Sequence, residues 1–274
     1  MTRFARGWAT GGRIGGAILL ALAAVAVAAP WIAPGDPLAI AGRPLLPPFT
    51  DDRFPLGTDQ LGRDVLAGLV HGAGASLIVG LAAAAAAIGI GILVGTVAGF
   101  FGGVADEALM RLTEAFQTVP TFLLALAMVS VLGASADHVV LAIAVSSWPA
   151  TARLVRAEIL SLKRRDYVDA ARLAGMPPLA IAFREVLPGA LQPVVALIGV
   201  TVGAAILVES SLAFLGLGDP NQVTWGGMVA NGRAALRSAP QLVALPGAAV
   251  ALTVLAVSLL GDGIAARLAP RRDR

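Results

Sequence analysis

Cysteine is absent from the 274 residues and histidine occurs twice. Disulfides and thiolate metal sites are thereby excluded, and only His71 and His138 could supply an imidazole. Lysine occurs once, as Lys163 in Leu162-Lys163-Arg164-Arg165, with no glycine before it. A nucleotide-binding P-loop needs G-x-x-x-x-G-K-[ST], because that lysine reaches the β- and γ-phosphates. This chain cannot hold such an ATP site. The zinc-protease pattern H-E-x-x-H is missing as well. Ser135 and His138 lie close in sequence, but a short turn between two helices explains both, so no catalytic residue is expected. Charge of either sign is scarce, at 14% of residues. Soluble domains carry about 25%. The net charge of +3 comes without a basic patch interleaved with aromatics, so nucleic acid is not an expected partner.

What is present is apolar: 57% of residues are hydrophobic and mean hydropathy is +0.83. One buried core cannot absorb that much, since a soluble domain of this size still exposes a large polar surface. The solvent that fits is lipid. A helix needs about 20 apolar residues to cross a bilayer. Charge-bounded stretches at 14–35, 72–105, 115–136, 138–152, 186–208 and 238–261 predict six transmembrane helices and an all-α integral membrane protein. The first stretch, following Arg3, Arg6 and Arg13, also resembles a signal peptide. Its continuation through Trp31 and Ile32 favours an uncleaved span. With the N-terminus in the cytoplasm, 15 of the 20 Lys and Arg residues fall on the cytoplasmic side. The positive-inside rule therefore predicts both termini inside.

Small residues recur every fourth position at Ala83, Ala87, Gly91, Gly95, Gly99 and Gly103. That spacing marks one helix face on which a second backbone can approach closely. Glu209, at the outer end of the fifth span, is a candidate for the pathway or for a structural hydrogen bond to the following loop. Trp148 and Trp225 suit anchoring at the membrane interface. Thr58 precedes a helix-like stretch and suits an N-cap.

The longest basic connection contains Tyr167-Val168-Asp169-Ala170-Ala171-Arg172-Leu173-Ala174-Gly175, then Met176-Pro177-Pro178, and later Leu187-Pro188. Residues 167–174 can form two helical turns, Gly175 fits the left-handed position beyond a helix end, and the prolines prevent continuation. A short helix outside the membrane with a small-residue face suits docking into another protein's groove.

This stretch resembles the EAA loop of permease subunits of bacterial ATP-binding-cassette importers, with Asp169 in place of the usual glutamate. Residues 54–66, with Leu56-Gly57-Thr58-Asp59 and Gly62-Arg63-Asp64, resemble the L-G-T-D-x-x-G-R-D signature of the C-type subunit in the dipeptide/oligopeptide/nickel permease group. Glu209-Ser210-Ser211-Leu212 and Phe214-Leu215-Gly216-Leu217-Gly218, followed by Trp225-Gly226, resemble that group's later segments, in the expected order.

The resemblance implies a type I importer permease fold in a bacterial inner membrane. Its expected parts are a cytoplasmic tail at 1–13, a first helix at 14–35, and an extracytoplasmic segment at 36–71. A five-helix core at 72–265 carries a cytoplasmic EAA loop at 153–189, and a cytoplasmic tail follows at 266–274. It implies a second, B-type permease partner, two ATPase subunits that bind ATP and Mg2+, and an extracytoplasmic substrate-binding protein. No cofactor is expected in this chain. ATPase coupling falls to Tyr167, Asp169, Ala170, Ala171, Arg172, Gly175, Leu187 and Pro188, and an outer contact to Gly57, Thr58, Asp59, Gly62, Arg63 and Asp64. Peptides, nickel complexes or glutathione would be the cargo. A proton-coupled secondary transporter using Glu209 or Asp262 is the competing class, but the inverted repeats it would show are not visible.

Overall fold

A computed structural model describes the backbone of residues 2–268 and the side chains of 10–267. Most of the tail expected at 266–274, and the side chains of Arg3 and Arg6, lie outside the described residues. The chain order is α1 (Thr2–Ile32), α2 (Val65–Phe101), α3 (Gly103–Thr118), α4 (Thr121–Leu132), α5 (Ala136–Leu162), α6 (Asp166–Leu173), α7 (Pro178–Ala180), a π-helical turn (Ile181–Val186), α8 (Leu187–Phe214), α9 (Trp225–Gly232) and α10 (Gln241–Leu268). No β-strand occurs among the described residues.

Among the described residues, five stretches are long and apolar enough to cross a bilayer: Thr10–Ile32, Val65–Phe101, Ala136–Leu162, Pro178–Phe214 and Gln241–Arg267. The sixth span expected at 115–136 is not a straight helix. It is the pair α3 and α4, bent by 86°. Pro120 disfavours helical geometry in the residue before it, and Val119 is extended with φ −99° and ψ 130°. Counting the pair as one span gives six. Alone, the 12 residues of α4 reach about 18 Å, short of the ~30 Å hydrocarbon core.

Other bounds also differ from the charge-based expectation. Helix α2 starts at Val65 rather than 72, because Asp64 caps it by accepting the Leu66 N–H at 2.9 Å. Helix α5 runs on past Arg153 and Arg156 to Leu162. Charge marks where lipid stops, not where a helix stops.

Helix α2 lies along α5, α1 along α10, and α10 along α8. The stripe explains the first pairing. A Cβ on Gly91 would lie 2.9 Å from the Trp148 carbonyl oxygen, one on Gly95 would lie 2.8 Å from Val155 Cβ, and one on Gly99 would lie 2.9 Å from Ile159 Cβ. Ala83 and Ala87 are fully buried in the same register. Gly103 does not belong to the stripe: α2 ends at Phe101, and Gly102 and Gly103 turn the chain with φ of +68° and +55°. The chain's one lysine closes that corner, with Lys163 Nζ donating to the Gly99 carbonyl at 2.6 Å. Beside it, Arg156 pairs with Asp106 through two hydrogen bonds, at 2.5 and 2.7 Å.

The alternation of helix directions puts α6 and the α2–α3 corner at one end of the bundle, the elbow end. Gly12 of α1 packs there against Gly263 of α10, so the described N- and C-terminal parts share that end. Residues 33–64, the α8–α9 connection and α9 form the opposite, loop end.

Candidate functional site

At the elbow end, α6 spans Asp166–Leu173, within the expected 167–174 helix to one residue. It stops as its sequence dictates. Gly175 takes φ +78°, its N–H donates to the Arg172 carbonyl, and the Met176 N–H reaches the Ala171 carbonyl at 3.1 Å. This is the paired-bond helix stop for which glycine is favoured. Val168 is fully buried and pins α6 to a cluster with Val155, Ile159, Ile181, Val186 and Ala190. Ala171 is half-buried against that same cluster. The stripped face therefore splits: Ala171 serves packing within the chain, whereas Ala170 is exposed. Exposed beside it are Tyr167 at 43% and Leu173 at 90%. Asp169 and Arg172 pair with each other at 2.9 Å on the exposed side. Leu187 and Pro188 lie where the π-helical turn enters α8. The Leu187 N–H bonds to Ala182, five residues back, just before a proline that has no N–H to give.

At the loop end, the Gly57–Asp64 signature forms a tight knot. Gly57 and Gly62 have φ of +79° and +80°, and at each a Cβ would strike a backbone carbonyl, of Leu46 and Gly42 respectively. Thr58 is fully buried but caps no helix, contrary to expectation. Its hydroxyl accepts the Leu46 N–H at 2.9 Å and donates to the Arg43 carbonyl. Asp59 Oδ1 accepts the N–H groups of Leu61 and Arg63 at 2.8 and 2.9 Å. Asp64 is the helix cap, and burial pushes its carboxyl above the usual range despite its backbone bonds.

The third signature meets the first here. Gln60 Nε2 donates to the Asn231 carbonyl at 2.9 Å. Between them lies a cavity of about 380 Å³, lined by Asp59, Arg63 and Asp64 on one side and by Asp219, Thr224 and Asn231 on the other. Glu209 is buried (3% exposed) and accepts the Ser210 hydroxyl at 3.2 Å. It does not line this cavity. Thr224 caps α9 by accepting the Gly227 N–H. Trp225 is no interfacial anchor: it is 1% exposed, with its backbone N–H on Ser76 and its indole N–H on the Leu69 carbonyl. Trp148, 4% exposed, is likewise a core residue. Ser135 caps α5 through the His138 N–H, and the His138 ring bonds the Gly133 carbonyl. The two do not form a nucleophile–base pair.

Residues 91–274 match the family described as the binding-protein-dependent transport system inner membrane component. The chain belongs to this family. It is 41% identical, over 95% of its own length and 88% of the relative's, to the di/tripeptide transport system permease protein DppC of Pseudomonas aeruginosa. It is 40% identical, over 95% and 89%, to a probable peptide ABC transporter permease of Sinorhizobium fredii. The glutathione transport system permease protein GsiD of Pectobacterium atrosepticum is 39% identical, over 79% of this chain and 72% of the relative. The methionine ABC transporter MetNI, in inward-facing conformations, matches with a TM-score of 0.59 at 18% identity, covering 74% of this chain and 96% of that one. The fold is thus that of a type I importer permease. This family member is a multi-pass inner-membrane subunit of an ATP-binding-cassette importer, and in such systems ATP hydrolysis belongs to separate subunits.

Proposed function

We infer that this permease carries peptides or a closely related small substrate, such as glutathione or a nickel complex, into the cytoplasm. It pairs with a distinct B-type permease, and two ATPase subunits, which bind the ATP and Mg2+, dock on the elbow end. An extracytoplasmic binding protein delivers cargo to the loop end, and both termini lie in the cytoplasm. The peptide assignment draws on the named relatives, and the orientation on the concentration of Lys and Arg at the elbow end. Docking through α6 draws on one observation above all. A helix pinned from beneath by Val168 presents Leu173, Tyr167 and Ala170 outward, exposed among the described residues. An apolar face on a short helix among basic loops is suited to a protein groove.

The test separates the two faces of α6. Ala170→Trp and Leu173→Asp should abolish uptake and reduce ATPase co-purification while membrane levels stay normal. Ala171→Trp should instead lower the level of the permease itself, because the side chain would enter the chain's own core. An Ala170→Trp, Leu173→Asp double variant that keeps its ATPase and transports normally would rule out docking through α6.

A further inference from the structure

The loop-end cavity is lined by two charged groups that form no ion pair among the described residues. Arg63 lines it, yet Nε of its guanidinium is sealed from solvent without an acceptor, and Arg63 forms no ion pair among the described residues. Asp59 lines it too, and only its Oδ1 is occupied, by the two backbone N–H groups of its own turn. Of the other carboxylates in the wall, Asp64 caps α2 through its Oδ1, and Asp219 has both oxygens engaged, accepting the N–H of Ala136 at 3.2 Å and of Asn221 at 2.9 Å. Arg63 and Asp59 face each other across one turn, with the Asp59 N–H on the Arg63 carbonyl at 2.9 Å. Elsewhere, aspartate and arginine two or three residues apart do pair, as in Asp51–Arg53 and Asp169–Arg172. Here the side chains stay apart, one cation and one anion opening on the same space.

A half-buried charge left without a partner costs stability, so an arrangement holding two of them is matched to a ligand that brings both opposite charges. We propose that this cavity binds the zwitterionic backbone of a short peptide, with Arg63 taking the carboxylate and Asp59 the ammonium group. Its volume, about 380 Å³, is in the range of small-ligand sites. Val223, Met228 and Leu38 supply apolar wall for side chains without selecting among them. Glutathione, which also carries an ammonium and carboxylates, fits the same chemistry. The site gives the permease a recognition step of its own, ahead of the membrane-spanning path. Its biological use rests on the peptide-import reading, but the binding itself does not.

The assembled transporter in lipid nanodiscs, without its binding protein, would be titrated with alanyl-alanine, its N-acetyl form and its C-terminal amide. Wild type should bind alanyl-alanine saturably and each blocked form about tenfold more weakly, the loss expected for one charge-assisted hydrogen bond. Arg63→Gln should remove the preference over the amide only, and Asp59→Asn, which keeps the Oδ1 acceptor of the turn, the preference over the acetylated form only. Equal binding of all three peptides to wild type, or no saturable binding, would overturn the proposal without relying on any variant. So would selective binding that both substitutions leave unchanged. Selective binding of this pattern in a complex that imports no peptide would support the site and contradict the import reading.

Discussion

Thr58 shows how one side chain can hold a segment that has no secondary structure. Its hydroxyl serves two backbone groups twelve and fifteen residues upstream, Leu46 and Arg43, from a fully buried position. Thr58→Val keeps the shape and removes both bonds, leaving an N–H and a carbonyl without partners. A buried group left in that state costs about 1–3 kcal/mol. The knot over residues 41–64 should loosen, and trypsin should cleave after Arg53 many times faster than in wild type, with the helical bundle unchanged by circular dichroism. The sequence marked Thr58 as special but for a different job. A threonine before a helix-like run reads as a cap, and the actual cap, Asp64, sits six residues on. Trp148 and Trp225 misled in the same way, since tryptophan in a membrane chain suggests the interface, whereas the bonds from Trp225 to Ser76 and Leu69 depend on pairings 149 and 156 residues apart.

Among elements, the α2–α5 contact was the most readable, because a four-residue period of small residues states a packing face directly. Gly95→Leu should be severe: the new side chain must displace the α5 backbone, and overpacking of this kind costs about 1–3 kcal/mol or more. Gly89, on the same helix, has nothing within 4 Å of its would-be Cβ. Gly89→Leu should leave the thermal stability of the detergent-solubilised protein near wild type, while Gly95→Leu lowers it by many degrees or prevents insertion. Equal effects would mean that α2 and α5 do not meet along the stripe. The stripe's last member, Gly103, belongs to a turn, and the charge-free run gave no sign of that break. The α3–α4 bend, by contrast, is written in Pro120, which charge boundaries do not reveal. The Lys163 cap on α2 could have been suspected from a single lysine just past a helix end, but its target 64 residues away could not.

Across the whole molecule, three signatures separated in sequence resolve into two places: the EAA-like segment at the elbow end, and the other two around one loop-end cavity. Order along the chain carried the family assignment without this geometry. The helix directions put α6 and the described ends of α1 and α10 together, which makes the topology testable as a unit. Reporter fusions after Arg165 and at the C-terminus should both read cytoplasmic, and fusions near Asp52 and Asn231 extracytoplasmic. A fusion at Asp52 that reads cytoplasmic would invert or break that arrangement. The most direct measurement of the central claim is uptake of a labelled dipeptide into proteoliposomes containing this permease, its partner permease, both ATPases and the binding protein. Uptake should require ATP on the α6 side and every one of the components, with no ATP turnover by this chain alone; accumulation without the ATPases, or ATP hydrolysis by the purified chain, would contradict it.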